Sequence, residues 1–323
     1  MKSWVRRIIV FFVSIFVLSF LVFFISRLAP GDPLVSYYGD RVEKMSVEER
    51  EVAEERLGLN EPIITQYVKW IGGAIKGDFG ISYKYKQDVL EVIVERLPYT
   101  LVLGGIGFIL IFGLGLLLGI ACALHEDTII DKIICKVGTV TSCIPEFWIS
   151  LVLILIFAMD FKILPSSGAH SLTDDSFSDR LWHLVLPMTV VVLNHLWYYA
   201  YMIRNKMLEE IRADYVLLAK SKGLSNRKIL YRHCLRNLFP SYLSLMAISL
   251  PHILGGTYVV ETVFSFPGIG KLAYESARYK DYNLLMILCL LSGAVVILGN
   301  LVAQSINERI DPRIKEKEVF SER

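Results

Sequence analysis

Hydrophobic residues along this chain fall into six long blocks separated by polar stretches. Each block is close to the roughly 20 apolar residues that a helix needs to cross a bilayer. The blocks are Ile8–Ser26, Leu101–Leu124, Val137–Ala158, Leu184–Ile203, Leu243–Val263 and Leu284–Val302. The pattern predicts an all-α membrane protein with six transmembrane helices, of which the fourth and fifth are interrupted by polar residues and prolines.

Composition agrees with this class. Hydrophobic residues make up 54% of the chain and charged residues 20%, against roughly 45–50% and 25% in soluble domains. The alternative for the first block is a secretory signal peptide. Its apolar run is longer than a signal's, and "SRLAPGDP" offers no A-x-A cleavage pattern. We therefore expect a retained helix.

Basic residues give the orientation. Lys2, Arg6 and Arg7 precede the first block, and residues 204–236 hold nine basic residues against three acidic ones. The region after the last block is also rich in Arg and Lys. Basic loops stay in the cytoplasm, so we expect a multi-pass cell-membrane protein with both termini cytoplasmic.

The polar stretches suggest four regions. We expect residues 1–27 to form the first transmembrane helix and 28–100 a small, partly helical accessory domain on the outer face. Residues 101–306 would hold five transmembrane helices, with a cytoplasmic loop at 204–240, and 307–323 a cytoplasmic tail. Ser46 and Glu49 fit a capping box, Gly58 fits a helix stop, and apolar residues from Ile64 to Ile75 recur at helical spacing.

Small residues in the blocks indicate packing. Gly115 and Gly119 form a small-x-x-x-small face that lets another helix approach closely. The five cysteines are odd in number and lack metal-site spacing, so neither a disulfide framework nor a zinc site is expected.

The loop between the fourth and fifth blocks has a pattern of its own. Residues 207–222 read as an amphipathic helix, Gly223 as its left-handed stop, and Ser225 as the N-cap of a second helix over 226–237 that ends before Pro240. An interfacial helix whose arginines meet lipid headgroups is one interpretation. The glycine stop favours a short rigid helix that docks in a groove of a partner protein.

This loop, "DYVLLAKSKGLSNRKILYRHCLRNLFP", resembles the cytoplasmic EAA loop of permease subunits of ATP-binding-cassette importers, in the dipeptide/oligopeptide/nickel branch. The resemblance covers nearly the whole chain, because further motifs of the branch follow in order. They are "RLAPGDP", "GLNEPIITQYVKW", "KGDFGISY", "ERLPYTL", "IPEFWISLVLI", "HLVLP", "ETVFSFPGIGKLAYES" and "DPRIK".

The resemblance implies that the segment from Asp214 to Gly223 is the coupling helix, held in a cleft of an ATPase subunit. Ala219 and Gly223 would be the small positions of close approach. The implied contact residues are Asp214, Tyr215, Ala219, Lys220, Lys222, Gly223 and Leu224. Gln304 and Asn307 stand where relatives often have Asp and Tyr, which leaves the details of that last helix open.

Polar residues inside the blocks are candidates for a translocation pathway, namely Glu146, Asn194, His195 and Glu261. Ionisable groups at membrane depth usually face a cavity or a partner, and Pro145, Pro187 and Pro251 are expected to interrupt their helices there. Interhelical hydrogen bonding is the alternative. Interhelical hydrogen bonding is the preferred interpretation for His195 and His252. For Glu146 both interpretations stay open. Wide spacing argues against a metal site.

No catalytic motif is complete. "SFPGIGKL" has Ser265 and Leu272 where a phosphate-binding loop needs Gly and Ser or Thr, and "DFG" at 78–80 lacks other kinase elements. We expect no catalytic residue, cofactor, metal or nucleic-acid partner. A passive channel and a membrane enzyme are the alternatives in other classes, but the enzyme would need a catalytic constellation that is not visible.

The predicted function is thus the permease of an importer for di- or oligopeptides, with nickel or another small solute as the alternative cargo. The resemblance implies four kinds of contact: a second homologous permease, two cytoplasmic ATPase subunits, an extracytoplasmic solute-binding protein and membrane lipid. Residues 27–99 and the "FPGIG" loop are expected to meet the binding protein.

Overall fold

The computed structural model describes residues 2–28, 33–56 and 58–310. These residues are mainly helical, and the only β pairing among them is an isolated bridge between Ile81 and Asp88. The helices are α1 (Lys2–Leu28), α2 (Pro33–Tyr38), α3 (Val47–Arg56), α4 (Ile63–Ala74), α5 (Val89–Leu124), α6 (Ile129–Ser142), α7 (Glu146–Leu153), α8 (Phe177–Ile211), α9 (Asp214–Ser221), α10 (Asn226–Ile229), α11 (Leu235–Val263), α12 (Ile269–Arg278) and α13 (Tyr282–Ile310).

Three short segments have other helical geometries. Gly39–Lys44 is a 3₁₀ helix after α2, Ile154–Asp160 continues α7 as a π-helix, and Leu230–Cys234 joins α10 to α11 as a π-helical turn. The prediction of an all-α membrane protein is confirmed.

Five helices in the described ranges are long and apolar enough to cross a membrane. They are Val5–Leu28, Val89–Leu124, Phe177–Ile211, Asn226–Val263 and Tyr282–Ile306. The predicted third span is instead a pair of helices, Ile129–Thr141 and Glu146–Asp160, that meet at 99°. The pair is a broken span or a re-entrant loop, so the count is five spans, or six if the pair is one.

The bend lies at Pro145. Two expectations about prolines and helix continuity are therefore wrong. Residues 137–158 do not form one straight helix, while α8 and α11 remain continuous through Pro187, Pro240 and Pro251. Pro145 is the extended N-cap residue of α7, with ψ 139°, and a proline disfavours helical backbone at the residue before it. Long membrane helices tolerate an internal proline because nearby groups take up the freed carbonyl or neighbouring helices cover the gap.

The chain divides into two compact units. The first contains the described residues up to Tyr99 together with Pro267–Leu298, and the second contains Thr100–Phe266 together with the described residues from Gly299 onward. The predicted regions were continuous in sequence, and residues 267–298 were expected within the core. Most of the predicted tail, residues 311–323, lies outside the described residues.

In the first unit, α4 packs on α1. Phe23, Tyr67 and Met286 form a buried cluster, and the Ser19 hydroxyl lies 2.9 Å from the Tyr67 hydroxyl. The capping box at α3 is confirmed, because the Glu49 carboxylate accepts from Ser46 N at 2.8 Å and Ser46 Oγ accepts from Glu49 N at 3.1 Å. The amphipathic helix predicted from Ile64 to Ile75 is α4.

In the second unit, α5 and α8 approach each other through glycine. A Cβ on Gly119 would lie 2.7 Å from the Ala200 carbonyl oxygen, and one on Gly115 would lie 3.6 Å from Ala200 N. The prediction that this glycine pair forms a close helix contact is confirmed. On another face of α8, a Cβ on Gly138 of α6 would lie 2.9 Å from Trp197 Cβ.

Candidate functional site

The loop between α8 and α11 contains α9, which is shorter than predicted. The single helix expected over 207–222 is wrong, because α8 runs to Ile211 and the chain breaks at Arg212 and Ala213 before α9 starts. Met207 and Leu208 are 0% and 7% exposed. Their apolar side chains belong to the buried face of α8, so helical periodicity alone could not separate them from α9.

A Schellman motif ends α9. Gly223 has φ +76°, its N–H donates to Lys220 O at 2.9 Å, and the Leu224 N–H donates to Ala219 O at 3.2 Å. This pair of bonds and the left-handed glycine are the expected geometry of the motif. The predicted glycine stop is therefore confirmed.

The second helix of the loop also differs from the prediction. Ser225 is its N-cap, as expected, with Oγ accepting from Lys228 N at 3.4 Å. The helix does not end before Pro240, however. It continues from α10 through the π-helical turn into α11, so that residues 226–263 form one long segment.

One side of α9 is exposed and combines basic with apolar residues. Leu217 and Leu218 are 71% and 56% exposed, and Lys220, Lys222 and Gly223 are exposed beside them. We call these five residues, with Asp214, the α9 surface. Ala219 is only 6% exposed and Leu224 is half-buried, so the small side chain of Ala219 packs within this chain rather than on the α9 surface.

Tyr215 ties α9 to its neighbours. Its hydroxyl donates to Glu210 Oε2 of α8 at 2.5 Å, and its ring lies 6.3 Å from the His233 ring, centroid to centroid. Burial, and then the Glu210 carboxylate, raise the pKa of Tyr215, so the phenol stays protonated and keeps donating. Tyr215 thus holds α9 against the end of α8.

Glu146 lies at the bend of the broken span. It was predicted in mid-helix, but it is the first residue of α7, directly after Pro145. Asn194 of α8 is the neighbouring polar side chain on its carboxylate. Oε1 is buried, and no donor within the described residues reaches it. An unsatisfied buried oxygen is costly, which singles this carboxylate out.

The other predicted pathway residues have structural partners. Glu261 is 0% exposed, and its Oε1 accepts from Thr100 Oγ1 at 2.7 Å and Thr257 Oγ1 at 3.1 Å. His195 Nδ1 lies 3.1 Å from the Val191 carbonyl. Its ring lies so close to Gly256 that a Cβ there would meet it at 2.8 Å. In this conformation Glu261 joins α11 to α5, and His195 of α8 packs against α11. Asn194 lies beside the Glu146 carboxylate.

An ion pair between α6 and α8 was missed by sequence reasoning. Arg204 Nε donates to Asp131 Oδ1 at 2.7 Å and Arg204 Nη2 donates to Asp131 Oδ2 at 2.5 Å. The side chains are 14% and 4% exposed. Arg212 also donates to Glu126 at 2.7 Å. The available signal was one acidic residue, Asp131, in a largely apolar stretch. Among the described residues no group of three His, Cys, Asp or Glu side chains could hold a metal.

A polar cluster in the first unit was also not predicted. It connects the chain after α4 to α12 and the start of α13. Ser82 Oγ donates to Asp281 Oδ2 at 2.5 Å, and Lys84 Nζ and Tyr85 Oη donate to Glu275 Oε2 at 2.6 Å each. The "KGDFGISY" motif therefore leads into a loop that is held by hydrogen bonds against Glu275 and Asp281.

The "FPGIG" loop was expected to present itself to a binding protein. Phe266 and Ile269 are each 3% exposed, and Gly268 and Gly270 are buried as well. The buried residues cannot form a contact surface in this conformation. Only Ser265, with φ +50°, is exposed at its edge.

Neutralising Glu275 is expected to make the free energy of unfolding less dependent on pH in the acidic range. Burial alone raises the pKa of Glu275, but hydrogen bonds from Lys84 and Tyr85 outweigh it and hold the pKa below the ordinary 4.5. The carboxylate therefore stabilises the fold above its ordinary pKa, and that contribution disappears as the pH falls through the lower folded-state value. We expect Glu275→Gln to cost about 1 kcal/mol at neutral pH and nothing in strong acid.

Thermal unfolding of the purified chain across pH measures this difference. Glu55→Gln, on an exposed position of α3, is the matched control and is expected to follow the wild type throughout. A constant difference between Glu275→Gln and wild type down to the lowest pH would contradict the assignment.

Comparisons with known proteins agree with these features. Residues 115–316 match the family described as binding-protein-dependent transport system inner membrane component, and residues 1–104 match the N-terminal region of such membrane components. The oligopeptide transport system permease protein AppB of Bacillus subtilis is 33% identical over 313 residues, covering 96% of this chain and 98% of the relative.

Two further similarities concern a relative and a solved structure. The probable peptide ABC transporter permease protein y4tP of Sinorhizobium fredii is 30% identical over 310 residues, covering 96% of this chain and 98% of the relative. An inward-facing structure of the MetNI methionine ABC transporter contains a chain with the same fold. The TM-score is 0.51 at 16% identity, covering 67% of this chain and 97% of that one. This chain therefore belongs to the family of binding-protein-dependent transport inner-membrane components, the permease subunits of ATP-binding-cassette importers.

Proposed function

We propose that this permease carries di- or oligopeptides. The support is that AppB and y4tP, which match over nearly their whole lengths, are an oligopeptide and a probable peptide permease. Nickel is not favoured, since neither relative is described as a nickel permease. A passive channel is not favoured either, because the family belongs to transport systems that depend on a binding protein.

In the proposed assembly this chain contacts three kinds of protein subunit and the membrane. They are a second homologous permease, two cytoplasmic ATPase subunits, a solute-binding protein on the outer face and the surrounding lipid. Both termini and the α9 loop would face the cytoplasm, as the basic residues indicate. ATP binding would move α9 and open the pathway outward, and hydrolysis would reset it.

The α9 surface is the observation that supports the proposed coupling to the ATPase subunits. It is a short helix with a rigid Schellman stop, and it exposes Leu217 and Leu218 between charged neighbours. Helices of this kind bind by placing apolar side chains in a groove. Lys220 and Lys222 would add polar contacts at the rim, and Tyr215 would pass the motion on to α8.

Transport by the reconstituted complex tests the function. The permease pair, the ATPase subunits and the binding protein are placed in liposomes, and uptake of a labelled di- or tripeptide is measured with ATP and with a non-hydrolysable analogue. We expect uptake only with ATP. Equal uptake without hydrolysis would indicate a channel, and uptake of nickel but not of peptide would overturn the proposed cargo.

Glu146 is proposed to line the pathway at the bend of the broken span. Its buried Oε1 lacks a donor in this conformation, and a passing amide or ammonium group would supply one. We expect Glu146→Gln to lower peptide uptake about tenfold, a loss of the size produced by removing one buried charged hydrogen bond, while the complex assembles normally.

Uptake per assembled complex is the measurement, and Glu91→Gln, at an exposed position of α5, is the control. Unchanged uptake by Glu146→Gln would return this residue to helix packing. Loss of assembly together with uptake would do the same.

A further inference from the structure

We propose that Asp131 and Arg204 are positioning residues for energy coupling. Their ion pair makes α6 and the adjoining end of α8 a single lever between α9 and the bend at Glu146. The inference rests on the importer function proposed above. It concerns residues outside both the α9 surface and the pathway, and it assigns a task to the broken span.

Asp131 is held firmly in place by several donors. Its carboxylate accepts both forked bonds from Arg204, at 2.7 and 2.5 Å, and a third from Asp127 N at 3.1 Å. The Cys135 thiol lies 3.6 Å from Oδ1. A bidentate guanidinium–carboxylate pair fixes both the distance and the rotation of the groups it joins. An apolar contact would let the two helices slide.

The helices α6 and α8 run antiparallel in one register. Asp131 faces Arg204 at one end of the contact, and Gly138 faces Trp197 at the other, with a Cβ-to-Cβ approach of 2.9 Å if Gly138 had a side chain. The two positions on each helix are seven residues apart (138 − 131 and 204 − 197), which is about two helical turns. The ion pair at one end and the Gly138–Trp197 contact at the other prevent α6 from sliding along α8.

Two polar contacts connect this lever to α9. Arg212, at the end of α8, donates to Glu126 in the turn before α6 at 2.7 Å. Tyr215 of α9 donates to Glu210 of α8 at 2.5 Å. Only Arg212 and Ala213 separate the two helices. A displacement of α9 is therefore passed to α8 over a short, hydrogen-bonded joint.

The far end of the lever reaches the bend of the broken span. α6 leads directly to the 99° bend, and Glu146 begins the helix beyond it. When α6 turns with α8, the angle at the bend and the surroundings of Glu146 change. The lever thus connects the segment that receives work with Glu146, the carboxylate whose Oε1 lacks a donor among the described residues.

The test separates coupling from folding. Replacing a buried ion pair by well-packed apolar residues often preserves stability, whereas removing one partner leaves an unpaired charge. We therefore choose the double variant Asp131→Leu/Arg204→Met, and Arg204→Lys, which keeps the charge but not the fork. Each is reconstituted with the ATPase subunits and the binding protein, and peptide uptake and ATP hydrolysis are measured together.

We expect both variants to assemble and to hydrolyse ATP in response to the binding protein, with peptides moved per ATP reduced about tenfold, within the range reported for residues between coupled sites. Lys206→Gln/Glu209→Gln removes an exposed ion pair of α8 and is expected to keep the wild-type ratio. If the double variant does not assemble, Arg204→Lys alone decides by the same ratio.

A wild-type ratio in an assembled variant overturns the inference. Failure of both variants to assemble also overturns it, because the pair would then serve folding alone. Absence of ATP-dependent uptake in the wild-type complex is a different result, which contradicts the importer function and not the lever.

Discussion

Gly119→Val is expected to remove most of the folded protein from the membrane. A Cβ at this position would lie 2.7 Å from the Ala200 carbonyl oxygen and 2.9 Å from Ile203 Cβ, and the carbonyl belongs to a rigid helix. Overpacking of a core costs roughly 1–3 kcal/mol, and two backbones forced apart put the variant at the upper end. Folded protein after detergent extraction, measured by size exclusion and thermal unfolding, gives the result.

Gly113→Val is the matched control in the same helix. Gly113 is exposed, and a Cβ there meets nothing within 4 Å. We expect nearly normal yield and melting temperature. Equal loss in both variants would show that helix propensity, and not the contact with α8, makes Gly119 necessary.

Gly223→Val is expected to abolish most ATP-driven uptake while leaving the chain inserted in the membrane. Gly223 has φ +76° with open space around it, so the cost comes from the backbone alone. For a residue with a Cβ the left-handed conformation costs roughly 1–2 kcal/mol, and a β-branched side chain adds to it. The Schellman turn would open, and the α9 surface would lose its fixed shape.

Co-purification of the ATPase subunits and uptake by the reconstituted complex measure this effect. Gly223→Asn is the control, because asparagine adopts the left-handed conformation at lower cost, and we expect it to retain most of both. Wild-type behaviour of Gly223→Val would show that the stop does not shape the docking surface.

Local signals in the sequence predicted much of this protein. The apolar blocks gave the positions of five membrane helices, Ser46 with Glu49 gave the cap of α3, and Gly223 gave the end of α9. Each depends on residues within a few positions of one another. The Gly115–Gly119 face also shows itself locally, since small residues four apart lie on one side of any helix.

The parts that could not be predicted depend on contacts between distant residues. The Asp131–Arg204 pair joins positions 73 apart, and the Lys84–Glu275 pair joins positions 191 apart. Ala219 was expected on the docking surface, but its burial depends on the packing of the loop within this chain. The predicted straight third span failed because hydrophobicity reports how apolar a segment is and not its direction after a proline.

The side of the membrane that carries the α9 surface decides whether α9 can receive the work of ATP hydrolysis. Ser221 is exposed at the end of α9, so Ser221→Cys is treated with a membrane-impermeant maleimide in intact cells and in inverted vesicles, with the wild-type chain and its own cysteines as background. We expect labelling above background in inverted vesicles only, and protection when the ATPase subunits are bound. Labelling in intact cells would place α9 outside the cell and contradict the claim that it receives the work of ATP hydrolysis.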